Sequence, residues 1–133
     1  MVSLKLIRRV GALALILPMG DHLIAPVLTI LLAPGLMWSV FGPGAVAAVI
    51  FFIVLGIYQL IWIGWLLKSN RALLLALGVP GNLVSIIIYF VSLSGVTIFG
   101  VPPQNGGAFA LLIKSLEAIY IIACFYVMKA NRS

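Results

Sequence analysis

The sequence predicts an all-α fold, an integral membrane bundle of four transmembrane helices that forms a single domain over residues 1–133. Hydrophobic residues make up 65% of the chain and charged residues 8%, whereas about a quarter of the residues of a soluble protein are charged. Four apolar stretches each exceed the ~20 residues that a helix needs to cross a bilayer. They cover residues 10–33, 44–67, 72–94 and 107–128.

The first stretch follows three basic residues, a pattern that also begins secretory signal peptides. Asp21 and His22 stand where a signal peptide would carry small residues for cleavage, and apolar residues resume directly after them. The pattern therefore favours a retained span. Pro18 and Pro26 predict a kink in it, because proline cannot donate a backbone hydrogen bond.

The remaining stretches are separated by segments typical of turns. Pro34, Gly35 and residues 42–44 follow the first stretch, residues 68–71 follow the second, and residues 101–107 precede the fourth. Each apolar stretch is thus bounded on both sides, which predicts four separate spans with both termini on one side of the membrane.

Basic residues predict the orientation. Seven of the eight lie in the N-terminal segment, the turn between the second and third spans, and the C-terminal tail. Because positive loops stay in the cytoplasm, we expect a multi-pass protein of the plasma membrane with both termini cytoplasmic. Their position at span ends, and not along one face, argues against nucleic-acid binding. These residues are Lys5, Arg8, Arg9, Lys68, Arg71, Lys129 and Arg132.

Polar residues near the middle of the spans are the candidate functional residues. A rise of about 1.5 Å per residue places several of them roughly 15 to 18 Å from a membrane face, so they can form one layer. On the third span, polar residues recur at intervals of three and four and share one face, from Asn82 through Tyr89 to Ser92. The candidate layer consists of Asp21, His22, Gln59, Asn82, Ser85, Lys114 and Glu117.

Two interpretations of this layer remain open. Carboxylates inside a membrane are costly and usually mark a function, so Asp21 or Glu117 is a candidate acceptor for a proton or cation. Alternatively, Lys114 and Glu117, three residues apart on one helix, neutralise each other and the other polar groups fix helix packing.

Metal binding and catalysis have weaker support in the sequence. His22, Asp21 and Cys124 are of ligand types that suit copper or zinc, but their spacing matches no known ligand motif. We therefore expect no metal and no other cofactor. No nucleophile motif is present, so no catalytic residue is predicted. A single cysteine also excludes an internal disulfide.

Small residues predict close helix packing. Gly44 and Ala48 on the second span and Gly78 on the third allow helices to approach closely. Their partners are either helices of the same bundle or a neighbouring subunit.

Several short motifs resemble a family of small four-span prokaryotic membrane proteins. They are His22-Leu23 with Ala25-Pro26, Phe51-Phe52 followed by Gln59, then Asn82, the stretch from Ser94-Gly95 to Gly100-Val101-Pro102, and Glu117. The resemblance covers roughly residues 20–128 and implies the four-span fold without a mechanism. Members of the family often carry a further His or Glu after the first Pro and an Arg in the outer loop. Here residues 27–29 and 96–97 contain neither, which weakens a metal or anion role.

Three functions are compatible with these features. The leading interpretation is a non-catalytic accessory or structural subunit of a larger membrane complex, such as a membrane oxidase or monooxygenase. Its partners would be membrane lipids and other integral membrane subunits, or further copies of the chain. The alternative is a small proton- or cation-coupled transporter that uses Asp21 or Glu117. A third is a membrane metal- or redox-handling protein centred on His22.

The predicted orientation can be tested by cysteine accessibility in intact cells. In a Cys124→Ala background, an impermeant thiol reagent should label a cysteine introduced at Ser39 or Gln104 and spare one at Ser69, because the basic residues hold the Ser69 turn in the cytoplasm. Labelling at Ser69 alone would show that the orientation is the opposite of the predicted one.

Overall fold

The computed structural model describes residues 2–98 and 107–132 and confirms an all-α bundle. Four helical runs in this part of the chain are long and apolar enough to span a membrane: Leu4–Leu32, Gly42–Lys68, Ala72–Ser92 and Ala108–Ala130. The helices are α1 (Leu4–Met19), α2 (Ala25–Leu32), α3 (Pro34–Phe41), α4 (Ala45–Lys68), α5 (Ala72–Ser92) and α6 (Ala108–Ala130). Part of the predicted outer loop, residues 99–106, lies outside the described residues.

Two of these helices begin at residues that the sequence placed outside a helix. α1 begins at Leu4, so its basic residues lie within the helix and not before it. Pro34 and Gly35, which the sequence indicated as a turn, begin α3. Proline is favoured in the first turn of a helix, where its missing N–H has no intrahelical partner to lose.

The first span is interrupted by a single π-helical turn, Gly20–Ile24, between α1 and α2. Its wider hydrogen bonding is visible in the backbone N–H of Ala25, which bonds to the carbonyl of Gly20, five residues earlier. Pro26, which follows directly, has no N–H to donate to the carbonyl of His22. The break expected from Pro18 and Pro26 therefore takes the form of a π turn, and it contains both Asp21 and His22.

The half of the bundle nearest the termini is closed. There α1 packs against α4 and α6, and α5 packs against the same two helices. Beyond the π turn, α2 packs against α3 and α4, and among the described residues it makes no contact of similar extent with α5 or α6. The two halves thus differ, since the main hydrophobic core of the described residues lies in the first. That core consists of Leu15, Leu66, Leu75, Tyr120, Ala123, Cys124, Val127 and Met128.

Arg8 fastens α1 to the end of α4. Its Nη1 donates hydrogen bonds to the carbonyls of Leu66 and Ser69, each at 2.6 Å, and its Nη2 donates to Oδ1 of Asn70 at 2.6 Å. The last carbonyls of a helix lack intrahelical partners, and Arg8, only 8% exposed, satisfies that of Leu66 together with the carbonyl of Ser69 just beyond the helix. One of the basic residues that predicted the orientation is therefore also a buried structural residue.

Two of the three small residues pack inside the bundle, and Gly44 is partly exposed. Ala48 is fully buried, and a Cβ added at Gly78 would meet the side chains of Trp62 and Tyr120. The sequence left open whether these residues contact their own bundle or a neighbouring subunit. Ala48 and Gly78 have neighbours within their own bundle.

Gly56 allows the π turn to approach α4. A Cβ built on Gly56 would lie 2.5 Å from Cβ, 2.8 Å from N and 2.9 Å from Cα of Leu23. Two of these three atoms belong to the backbone and cannot rotate away. Only glycine therefore fits where α4 faces the turn that carries His22.

Gly56→Ala should destabilise the bundle by about 1–3 kcal/mol, the usual cost of overpacking. Gly64→Ala on the same helix is the matched control, because an added Cβ there meets nothing within 4 Å and alanine favours the helix by up to ~1 kcal/mol. Thermal unfolding of both variants in one detergent measures the difference. Equal midpoints for the two variants would show that α4 and the π turn are not in close contact.

A candidate polar site between the helices

The Gln59 side chain lies at the centre of a buried hydrogen-bond network. Its Oε1 is 2.9 Å from Nδ1 of His22, and its Nε2 donates to Oδ1 of Asn82 at 2.9 Å and to Oε2 of Glu117 at 3.2 Å. All four side chains are buried. Since they come from the π turn, α4, α5 and α6, one carboxamide links four segments of the bundle.

The direction of these hydrogen bonds fixes the state of the histidine. Nδ2 of Asn82 donates to the carbonyl of Gly78 at 2.8 Å, so Oδ1 of Asn82 is an acceptor and takes its hydrogen from Nε2 of Gln59. Oε1 of Gln59 is then also an acceptor. His22 must donate to it through a protonated Nδ1, which in the neutral ring leaves a lone pair on Nε2.

Lys114 and Glu117 form the ion pair that their spacing predicted. Nζ of Lys114 is 2.7 Å from Oε1 of Glu117 and donates to Oγ of Ser85 at 2.7 Å. With Gln59 bound to its other oxygen, the Glu117 carboxylate is paired on both sides. Its charge is therefore matched by Lys114 inside the bundle.

Asp21 differs from Glu117 in its surroundings. Its side chain is 38% exposed, and Oδ2 lies 3.9 Å from Nε2 of His22, which is too long for a direct hydrogen bond. A carboxylate oxygen and a lone-pair nitrogen thus face each other. Two acceptors in this position need a hydrogen-bond donor between them or a proton on the histidine.

A cavity of about 270 Å³ begins at these acceptors. Its walls come from the π turn, the first half of α4, the last half of α5 and the start of α6, so it lies in the less closely packed half of the bundle. Tyr89 contributes a hydroxyl that has no hydrogen-bond partner among the described residues, although the side chain is only 5% exposed. The cavity is lined by Asp21, His22, Phe51, Phe52, Ser85, Ile88, Tyr89, Ser92, Phe109, Ala110, Ile113 and Lys114.

The structure brings the predicted layer together and separates one metal candidate from it. Cys124 belongs to the core near the termini, whereas His22 and Asp21 line the cavity. Nowhere in residues 2–98 and 107–132 do three His, Cys, Asp or Glu side chains form a group that could hold a metal. Tyr89 and Ser92 are polar lining residues outside the predicted layer, although their spacing from Asn82 placed them on the correct face.

Comparison with family models, curated proteins and solved structures finds no match to this chain. The resemblance to small four-span proteins therefore stays a prediction, and the geometry of the site is the remaining guide to function.

The state of His22 can be measured by NMR, because it is the only histidine in the chain. In protein labelled with ¹⁵N-histidine, the neutral ring should carry its proton on Nδ1, since Gln59 offers only an acceptor there. Gln59→Leu should shift the population toward the Nε2–H form, because the acceptor is lost. A wild-type spectrum dominated by the Nε2–H form would contradict the network.

Proposed function

We propose that this protein exchanges a proton for a small monovalent cation across the membrane, with Asp21 as the binding residue. The proposal depends on one observation: a cavity that reaches the middle of a membrane bundle ends at a carboxylate that has no lysine or arginine within salt-bridge distance among the described residues. Intramembrane carboxylates of this kind are costly, and they commonly serve ion and proton pathways.

The charge around the cavity favours a cation over an anion. Lys114 and Glu117 cancel each other at 2.7 Å, and a neutral His22 adds no charge. The carboxylate of Asp21 is left in excess. A single positive charge neutralises it, whether as a proton on His22 or as a bound cation.

The packing of the bundle supports access to the cavity from one side. The cavity is lined by the last half of α5 and the start of α6, while the core next to the termini blocks the opposite half. With the orientation predicted from the basic residues, this is a state open toward the outside. The π turn, between Pro18 and Pro26, is a suitable hinge, because interrupted helices commonly form the ion sites of transporters.

Of the two candidate acids, the geometry favours Asp21. Glu117 is fully buried and hydrogen-bonded through both oxygens, so a cation would have to displace Lys114 or Gln59 to reach it. Asp21 is accessible without such rearrangement.

One of the arguments for the accessory-subunit role is weakened. It was inferred partly from small residues available to a neighbouring subunit, yet Ala48 and Gly78 have neighbours in their own bundle. Association with other subunits or with further copies stays a prediction. The metal or redox role is weakened in the same way, because Cys124 lies away from His22.

Transport can be tested in liposomes that contain the purified protein and a trapped pH-sensitive dye. A gradient of Na⁺, K⁺ or ethanolammonium chloride is imposed, and the change in internal pH is recorded. At least one cation should move protons in the opposite direction in wild-type liposomes, and Asp21→Asn should abolish this movement because it removes the acceptor.

Ser115→Ala is the matched control, since Ser115 is exposed beside Lys114 and donates its hydroxyl only to the carbonyl of Leu111. It should transport like the wild type, and liposomes without protein report passive leakage. If folded wild-type protein and Asp21→Asn gave the same pH traces for every cation, the exchange function would be refuted.

A further inference from the structure

We infer that the cation is a small primary ammonium compound that also carries a hydrogen-bond acceptor such as a hydroxyl group. This inference rests on the proposed exchange function and specifies its substrate class. It follows from the polar groups that the cavity presents without partners.

The acceptor end of the cavity selects for N–H donors. Nε2 of His22 and Oδ2 of Asp21 lie 3.9 Å apart, and the bonds that fix Nδ1 leave only the lone pair on Nε2. A primary ammonium group has three N–H bonds and can donate to both atoms while its charge meets the carboxylate. Hard metal cations prefer oxygen ligands, whereas one of the two facing atoms here is an imidazole nitrogen.

Other polar groups of the cavity call for an acceptor. The hydroxyl of Tyr89 has no partner in the described part of the chain and is buried, which is costly unless a ligand or water satisfies it. Because the oxygen has almost no accessible surface, a ligand in the cavity reaches it only after a small movement of the ring. Nζ of Lys114 has three N–H bonds, and Ser85 and Glu117 use two of them. A ligand hydroxyl or ether oxygen can accept from either group.

The cavity has room for a small organic cation and offers apolar walls to the part that links its polar groups. Its volume of about 270 Å³ is just below the range of about 300–1,000 Å³ for drug-sized ligands. Its apolar lining includes Ile88, Ile113 and Phe109. A short carbon chain between the ammonium and the acceptor suits these walls.

The same geometry couples the ammonium to the proton. When His22 is protonated on Nε2, the new N–H faces Asp21 and no lone pair remains for the ligand. Binding of the ammonium to a protonated His22 therefore requires that this proton leave to solvent, so the ammonium and the proton exclude each other. Competition for one pair of acceptors is the basis of exchange.

The test compares three probes with wild-type protein in detergent micelles: ethanolammonium, ethylammonium and tetramethylammonium. Calorimetry and the ¹⁵N signal of His22 both report binding. Ethanolammonium should bind most tightly, ethylammonium about fivefold more weakly for the loss of one hydrogen bond, and tetramethylammonium should not bind because it has no N–H. Binding of ethanolammonium should weaken as the pH falls, because protonation removes the lone pair on His22.

Two variants assign the contacts. Tyr89→Phe should weaken ethanolammonium about fivefold, for the same single hydrogen bond, and leave ethylammonium unchanged, since only the hydroxylated probe uses Tyr89. Asp21→Asn should weaken both. Since the wild-type probe series needs no variant, it tests the inference even if a substitution impairs folding.

The outcomes separate the substrate class from the exchange function. If Na⁺ or K⁺ drives Asp21-dependent proton movement while ethanolammonium neither binds nor moves protons, the ammonium inference fails and exchange stands. Equal binding of tetramethylammonium and ethanolammonium would also overturn the inference, because N–H donation would then be irrelevant. If no cation moves protons in an Asp21-dependent manner, the exchange function is refuted, and the substrate assignment that rests on it is refuted too.

Discussion

A polar side chain buried among membrane helices has no water to bind, so its partners must come from other helices. Gln59 meets this constraint with both ends of its carboxamide, which bond to His22, Asn82 and Glu117. Turning the amide over would set its N–H groups against the Nδ1–H of His22 and its oxygen against two acceptors. Every part of the network thus depends on a single orientation, and that orientation holds four segments in register.

Backbone features bring the members of this network within reach. The π turn lies between Pro18 and Pro26 and carries His22. Gly56 lets that turn approach α4. The Tyr58 hydroxyl inserts into the backbone hydrogen bonds of α5. It donates to the carbonyl of Leu77 and accepts from the N–H of Gly81 at 3.1 Å. Side chains inserted in this way bend helices. The irregular positions therefore lie next to the polar layer.

The sequence predicted the depth of the polar layer because depth depends only on the regular rise of a helix. Rotation about the helix axis was harder to predict. The π turn alters the rotation of the first span, so the sequence could not show that His22 enters the network while Asp21 stays at its edge. For the same reason it gave Ala48 and Gly78 two possible partners, and it grouped Cys124 with His22 although they belong to different halves of the bundle. α3 was missed because Pro34-Gly35 is equally typical of a turn and of a helix start.

Asp21 and Glu117 are the chain's two acidic residues, and their neighbours give them different roles. Glu117 is matched by Lys114 and Gln59, and a fully paired charge of this kind contributes to a fixed arrangement of helices. Around the cavity three groups have bonding capacity left over: the carboxylate of Asp21, the Nε2 lone pair of His22 and the hydroxyl of Tyr89. A ligand gains most binding free energy where it forms hydrogen bonds to groups that lack partners in the folded chain, because the folded chain already bears the free-energy cost of leaving those groups unpaired. A fully paired network on one side of His22 and free acceptors on the other therefore favour the cavity, and not the network, as the site of the proposed exchange.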